Sequence, residues 1–231
     1  VNDAPLKLLS SMATRGILAE LAREYERATG RPVAAEAAGG VDVAKRVRAG
    51  EAFDVVVLAS DVIDLLISES LLLSGSRVDL VESPIAVAVR AGAPRPDISS
   101  EAGVKRAVTE AKSLSYSTGP SGRHLEKTFE RWGVLETIRP RIVVPPPGVP
   151  VASLVADGRA ELGFQQLSEL IDKPGIDVVG LVPSEIQSVT IFAGGISALS
   201  ARPEAARALL DFLASPQTAE AKRRFGLEPA A

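Results

Sequence analysis

Cysteine is absent from the 231 residues and histidine occurs once, at His124. The first absence removes disulfides, thiolate nucleophiles and cysteine metal sites; the second removes a histidine-built metal centre. No metal or other cofactor is therefore expected. Aromatic residues make up only 4% of the chain, too few for a base-stacking platform. Positive charge is not in surplus either: the formal net charge is −3, no dense Lys/Arg face stands out, and nucleic acid is not an expected partner. Long apolar runs are missing, since the run at 65–73 is broken by Ser68, Glu69 and Ser70. Gly-x-Ser-x-Gly, Walker and Gly-x-Gly-x-x-Gly motifs do not occur. A serine triad would have to use His124 as its base, and His124 follows Ser121 by one helical turn. No signal peptide precedes Val1-Asn2-Asp3, which fits a cytoplasmic protein or an export segment already removed.

What the chain does have is 46% hydrophobic against 24% charged residues, the balance of a globular protein with ample core. Strand and helix patterns alternate. Strands are predicted at 6–10, 32–38, 54–59, 83–90, 114–117, 142–144, 161–166, 178–182 and 189–192. Between them lie helices at about 14–29, 41–49, 62–69, 101–112, 121–132 and 149–157, and two more close the chain at 202–213 and 217–225. Ser60-Asp61 offers the cap of the third helix, Ser99 or Ser100 that of the fourth, and Ser215-Pro216 that of the last. The pattern predicts an α/β fold with a parallel, helix-covered sheet whose strand C-terminal ends face one crevice.

One stretch concentrates chemistry: Leu114-Ser115-Tyr116-Ser117-Thr118-Gly119-Pro120-Ser121-Gly122-Arg123-His124. A strand runs through a hydroxyl- and glycine-rich turn into a helix, leaving unpaired N–H groups at its positive end, a place suited to an anion. Arg123 and His124 sit in the first helical turn, where a cation opposes the helix dipole. They serve a ligand there, or this is an ordinary surface helix with two solvated basic residues. Similar small turns precede helices at Ser10/Ser11, Gly39/Gly40 and Gly148/Val149, and Gln165-Gln166 ends a strand that could aim one amide at a ligand.

These features resemble a known family. Leu8-Leu9-Ser10-Ser11, Tyr25-Glu26-Arg27-Ala28-Thr29-Gly30, and Val47-Arg48-Ala49-Gly50-Glu51-Ala52-Phe53-Asp54-Val55-Val56 are similar to periplasmic solute-binding proteins of the molybdate-binding type. Phe212-Leu213-Ala214-Ser215-Pro216-Gln217 and Arg224-Phe225-Gly226-Leu227 complete the likeness. It implies a type II periplasmic binding protein fold: two three-layer αβα lobes with a central cleft, residues 1–82 plus 193–231 and residues 83–192. It further implies a small anionic ligand, an ABC permease as partner, a monomer and a periplasmic or otherwise extracytoplasmic location. Turn readings and resemblance together point to Ser10, Ser11, Met12, Ala13, Gly39, Gly40, Ser60, Ser121, Gly122, Arg123, Val149, Gln165 and Gln166 as ligand-binding residues. Molybdate binders carry hydroxyls at the first two turns and a tyrosine at a strand end of the second lobe. Here the first turn aligns on Met12-Ala13-Thr14, the second on Gly39-Gly40-Val41 without a hydroxyl, and the tyrosine position on Gln166. The sequence looks closer to a branch that includes aconitate isomerase-like proteins. The expected function is capture of a molybdate-like oxyanion or small carboxylate for ABC-type uptake. The alternative is an aconitate isomerase-like enzyme using His124 for proton transfer and Arg123 to hold a carboxylate.

Overall fold

The computed structural model describes residues 4–146 and 148–230; Pro147, in the proline run expected to stop a strand, lies outside them. The chain forms two compact units, Val1–Ser83 with Thr190–Ala231, and Pro84–Val189.

The first unit opens with β1 (Leu6–Ser11), a 3-10 turn at Met12–Thr14 and α1 (Arg15–Thr29). Ile17, Leu18, Leu21, Ala22 and Tyr25 form the buried stripe of α1. Gly30, at φ 70°, ends the helix and donates its N–H to Glu26 O, a left-handed closure that favours glycine. Then come β2 (Val33–Ala38), α2 (Gly40–Arg48), β3 (Val55–Ala59), α3 (Ser60–Ser68) and β4 (Val78–Ser83). The second unit carries β5 (Ile85–Arg90), α4 (Glu101–Glu110), β6 (Leu114–Tyr116), α5 (Pro120–Arg131) and α6 (Leu135–Ile138). It continues with α7 (Val151–Ala156), β7 (Leu162–Gln166), α8 (Leu167–Leu170) and β8 (Ile176–Leu181). The chain returns to the first unit as β9 (Thr190–Ile196), α9 (Pro203–Ala214), α10 (Ala219–Arg224) and β10 (Glu228–Pro229).

Each unit is a sheet buried on both faces. In the first, of order β10-β4-β9-β3-β1-β2, Leu6, Leu8, Val55 and Val57 pack with α1 and α9 on one face, while Leu9, Val56 and Leu58 pack with α2 and α3 on the other. The split follows the period-2 alternation of strand side chains. The second sheet, β6-β7-β5-β8, sets Ile85, Val87, Leu162 and Phe164 against α4 and α5, and Ala86 and Ala88 against α7 and Leu170 of α8.

Several sequence expectations need correction. The sheets are mixed, not parallel. β1 pairs parallel with β2 and β3, and β6 with β7, but β9 is antiparallel to β3 and β4, and β5 to β7 and β8. β9 runs past Phe192 because Gly194 and Gly195, which weaken a strand signal, are demanded by packing: a Cβ on Gly194 would lie 2.3 Å from Leu210. The strand predicted at 83–90 starts only at Ile85, and β4 ends at Ser83 just before it. Residues 142–144 form a single bridge, Ile142 to Leu114. Neither Ser60 nor Asp61 caps α3, whose N-cap is Ala59 without a side-chain bond. Ser215 leads into a 3-10 turn at Pro216–Thr218 before α10. Ser100 does cap α4, its hydroxyl accepting from Gly103 N–H.

The first unit is stitched from two distant segments, and Asp54 binds them. Its buried carboxylate accepts from Lys7 N–H at 2.9 Å, Ser200 Oγ at 2.7 Å and Arg202 Nη2 at 2.7 Å. Burial alone would raise the Asp54 pKa; the three hydrogen bonds and the Arg202 charge outweigh it and hold the carboxyl below the ordinary 3.8. Its contribution is therefore full above pH 3.8 and is lost as pH falls through the lower folded-state value. Asp54→Ala is expected to lower unfolding free energy by roughly 3 kcal/mol, because it takes the carboxylate from a partly buried guanidinium whose other acceptors, Ala4 O and Pro5 O, are neutral. Urea denaturation at pH 7 measures this; a loss under about 1 kcal/mol would assign Asp54 no such role.

Candidate functional site

Since β2, β1 and β3 are parallel neighbours, the turns that follow them emerge at one end of the first sheet. This brings Ser10, Ser11, Met12, Ala13, Gly39, Gly40 and Ser60 to that end. Ser10 and Ser11 are buried at 1% and 7% exposure. Ser11 Oγ lies 3.5 Å from Thr14 Oγ1, and the Thr14 hydroxyl donates to Ser11 O at 3.2 Å. Thr14 thus turns its oxygen back to the strand and does not cap α1, whose first N–H, that of Arg15, donates to Met12 O. The N-termini of α2 and α3 also lack side-chain caps. Gly39 and Gly40 have no positive φ, and a Cβ on Gly40 would meet only the Leu58 side chain, at 3.7 Å. Asp42 and Asp61 stand in the first turns of α2 and α3, and Arg15 opens α1, so of the three turns the one after β1 suits a small anion best.

In the second unit β6 and β7 are parallel neighbours, so the 117–122 turn and Gln165-Gln166 share one end of the sheet. Ile142 bridges in parallel to Leu114 beside them, and the segment runs on to Val149, two residues ahead of α7. The turn is closely built. Ser117 Oγ bonds Ser121 Oγ at 2.9 Å and accepts from Gly119 N–H at 3.3 Å. Pro120 opens α5, whose N-terminus has no side-chain cap. A Cβ on Gly122 would sit 1.5 Å from the Ser117 carbonyl oxygen, so only glycine lets α5 lie on its own turn.

Arg123 is exposed; among the described residues its guanidinium makes no hydrogen bond or ion pair. His124 is half-buried, with Nε2 3.0 Å from Ile186 O. A carbonyl only accepts, so Nε2 carries the proton and Nδ1 of the neutral ring is left with the lone pair. The two basic residues thus differ: one is a free charge and the other a tethered imidazole with a single basic nitrogen.

Gln165 and Gln166 are adjacent in a strand and so turn to opposite faces; both are buried. The amide of Gln165 donates to Glu169 Oε1 at 2.7 Å, while its own Oε1 is buried without a hydrogen-bond partner. Burial raises the Glu169 carboxyl to about 7, against the opposing pull of Gln165 and Lys173. Glu169 is not marked by the sequence, since nothing in its spacing shows what covers it; Thr14 is legible there only as part of the first turn.

The family of bacterial extracellular solute-binding proteins matches residues 6–228. The chain belongs to that family. An aconitate isomerase of a Pseudomonas species is 40% identical to this solute-binding protein over 97% of its chain and 87% of the relative. The molybdate-binding protein ModA of Rhodobacter capsulatus is 28% identical over 52% of this chain and 45% of its own. Among solved structures, the Azotobacter vinelandii periplasmic molybdate-binding protein superposes with a TM-score of 0.82 at 20% identity, covering 98% of this chain and all of the other. The fold is that of the type II periplasmic binding proteins.

Two outcomes follow from this geometry. Gly122→Ala is expected to cost about 3 kcal/mol or more by forcing α5 off its turn. Guanidinium denaturation reads the loss, and an unchanged midpoint would contradict the packing. The stability conferred by Glu169 is full below pH 4.5 and is lost as pH rises through about 7. Glu169→Gln should therefore raise the unfolding midpoint at pH 8 and change it little at pH 5.

Proposed function

We propose that this solute-binding protein takes a small polycarboxylate and interconverts trans- and cis-aconitate. The observation that carries the reading is the aconitate isomerase relative, 40% identical along 97% of the chain. The residues agree with it. A dehydrated oxyanion held by neutral donors calls for a ring of hydroxyls, and the second turn, Gly39-Gly40, has none. A free guanidinium at Arg123 suits a carboxylate, which it can grip with two parallel hydrogen bonds. On this reading the candidate ligand-binding residues are, within the first unit, Ser10, Ser11, Met12, Ala13, Gly39, Gly40 and Ser60, and, taken separately within the second unit, Ser121, Gly122, Arg123, Val149, Gln165 and Gln166.

The reaction moves a double bond one carbon along. A base takes a proton from the methylene carbon, the electron pair shifts through the allylic system, and a proton returns at the former vinyl carbon, so nothing is gained or lost. His124 Nδ1 is the proton carrier in this reading. The bond from Nε2 to Ile186 O holds the ring and steadies the imidazolium that forms. Arg123 anchors a carboxylate.

A second reading, capture of a molybdate-like oxyanion and its delivery to an ABC permease, is favoured by the family and by the molybdate-binding relative. Under either reading the protein acts outside the cytoplasm as a monomer. No helix among the described residues is long and apolar enough to cross a membrane.

Turnover of trans-aconitate followed by NMR, beside a thermal-shift panel of aconitate, citrate, molybdate and tungstate, tests both. Turnover is expected to fall by roughly 10²–10⁴-fold in His124→Ala, the range of a lost general base. Arg123→Ala should act mainly by raising KM. Stabilisation by molybdate with no aconitate turnover would replace the isomerase by the oxyanion receptor.

A further inference from the structure

The most unusual charged side chain of the first unit lies away from every turn named above. α10 carries Lys222 into the core, where it is 1% exposed. It lines a cavity of about 10 Å³ into which α1, β3, β4 and α9 present only apolar side chains, Leu21, Val57, Leu80 and Leu213 among them. Apart from Lys222 itself, Thr14 is the one polar residue lining that cavity. Among the described residues no hydrogen bond or ion pair reaches the ammonium. The charges of its own helix are engaged elsewhere: Arg223 pairs with Glu228, and Arg224 with Glu20 and Glu220. Burial alone lowers the Lys222 pKa to about 8. Neutral at high pH and charged at low pH, this amine has no carboxylate to compensate it.

A leucine or methionine would fill such a position at less cost. Thr14 supplies a reason for the charge. It is the N-cap of α1, and its hydroxyl is bonded to Ser11 O and lies within 3.5 Å of Ser11 Oγ. Lys222 and Thr14 line the same cavity, which places the lysine behind the turn that follows β1.

We infer that Lys222 is a buried counter-charge for that turn, a positioning residue that raises affinity for a carboxylate at Ser10–Ala13 without touching it. The inference rests on the anion reading of the turn. The turn after β1, which the exposed Arg15 follows, then gains a positive charge from behind, and a bound anion compensates an ammonium without a carboxylate partner. Linkage makes the effect reciprocal: the anion binds better to protonated Lys222, so binding near pH 8.5 takes up a proton, and affinity falls as pH rises past about 8.

Calorimetric titration of the full chain with trans-aconitate tests this, at pH 6.5 and 9.5 and, at pH 8.5, in two buffers of different ionisation heat. His124→Ala protein serves if turnover obscures the signal. Wild type should lose roughly tenfold in affinity from pH 6.5 to 9.5, the scale of one partly screened charge. It should also show net proton uptake at pH 8.5. Lys222→Met should bind roughly tenfold more weakly at pH 6.5, lose the proton uptake, and melt no lower than wild type. A merely structural lysine would leave affinity and proton uptake unchanged in the variant; that result overturns the inference and leaves the proposed function standing. Should Lys222→Met not fold, absence of proton uptake in the wild type alone refutes it. A wild type that binds neither aconitate nor any oxyanion overturns the anion reading and this inference together.

Discussion

The Asp54 carboxylate is the constraint on which the first unit depends. That unit is made of two segments, one ending at Ser83 and the other beginning at Thr190, so no local propensity can hold it together. Backbone pairing does part of the work, with β9 lying between β3 and β4. Asp54 does the part that is specific. It receives Lys7 from the first segment and Ser200 and Arg202 from the second. A carboxylate with three donors is stable in the interior where an unpaired one would not be. The turns after β1 and β3 inherit their positions from strands registered beside this knot.

On that frame the site donors are mostly backbone. Helices α1, α2, α3 and α5 all begin without a side-chain cap, although Ser and Thr are at hand. The hydroxyls of Thr14 and Ser117 are turned to other partners and so do not cap α1 and α5. Two positive charges carry the proposals made above, Arg123 in the open on the second unit and Lys222 in the core of the first. The preference proposed for carboxylates rests on the missing second-turn hydroxyl and on the Arg123 guanidinium.

The same economy bears on chemistry. A binding protein needs no proton carrier, and the chain has one histidine. The histidine bond to a backbone carbonyl fixes its tautomer, a restraint that surface solvation would not require. Glu169, with its carboxyl raised to about 7 and tied to Gln165, is able to change charge near neutrality. These features sit on the unit that carries the strand–turn–helix stretch, where a binding fold can acquire catalysis with few changes.

How much of this was legible follows the range of the forces involved. Alternating strands and helices, the small turns and the Ser100 cap depend on neighbours a few residues away, and the sequence displays them. The glycine of 117–122 is visible as a residue but not as a requirement, until Ser117 O is found where its Cβ would be. Strand direction was misread because a parallel and an antiparallel buried strand carry the same apolar pattern, and β9 was cut short because paired glycines look like a turn. By itself the sequence determined most of the strand–helix alternation, though not β4, α6, α8 or β10, together with the small turns and the family likeness. Only the tertiary structure decided which polar groups are buried and what they meet. His124 finds Ile186 across 62 positions and Asp54 finds Arg202 across 148, and the Lys222 charge is unusual only because a folded core surrounds it. Electrostatic cost depends on burial, and burial is a property of the fold.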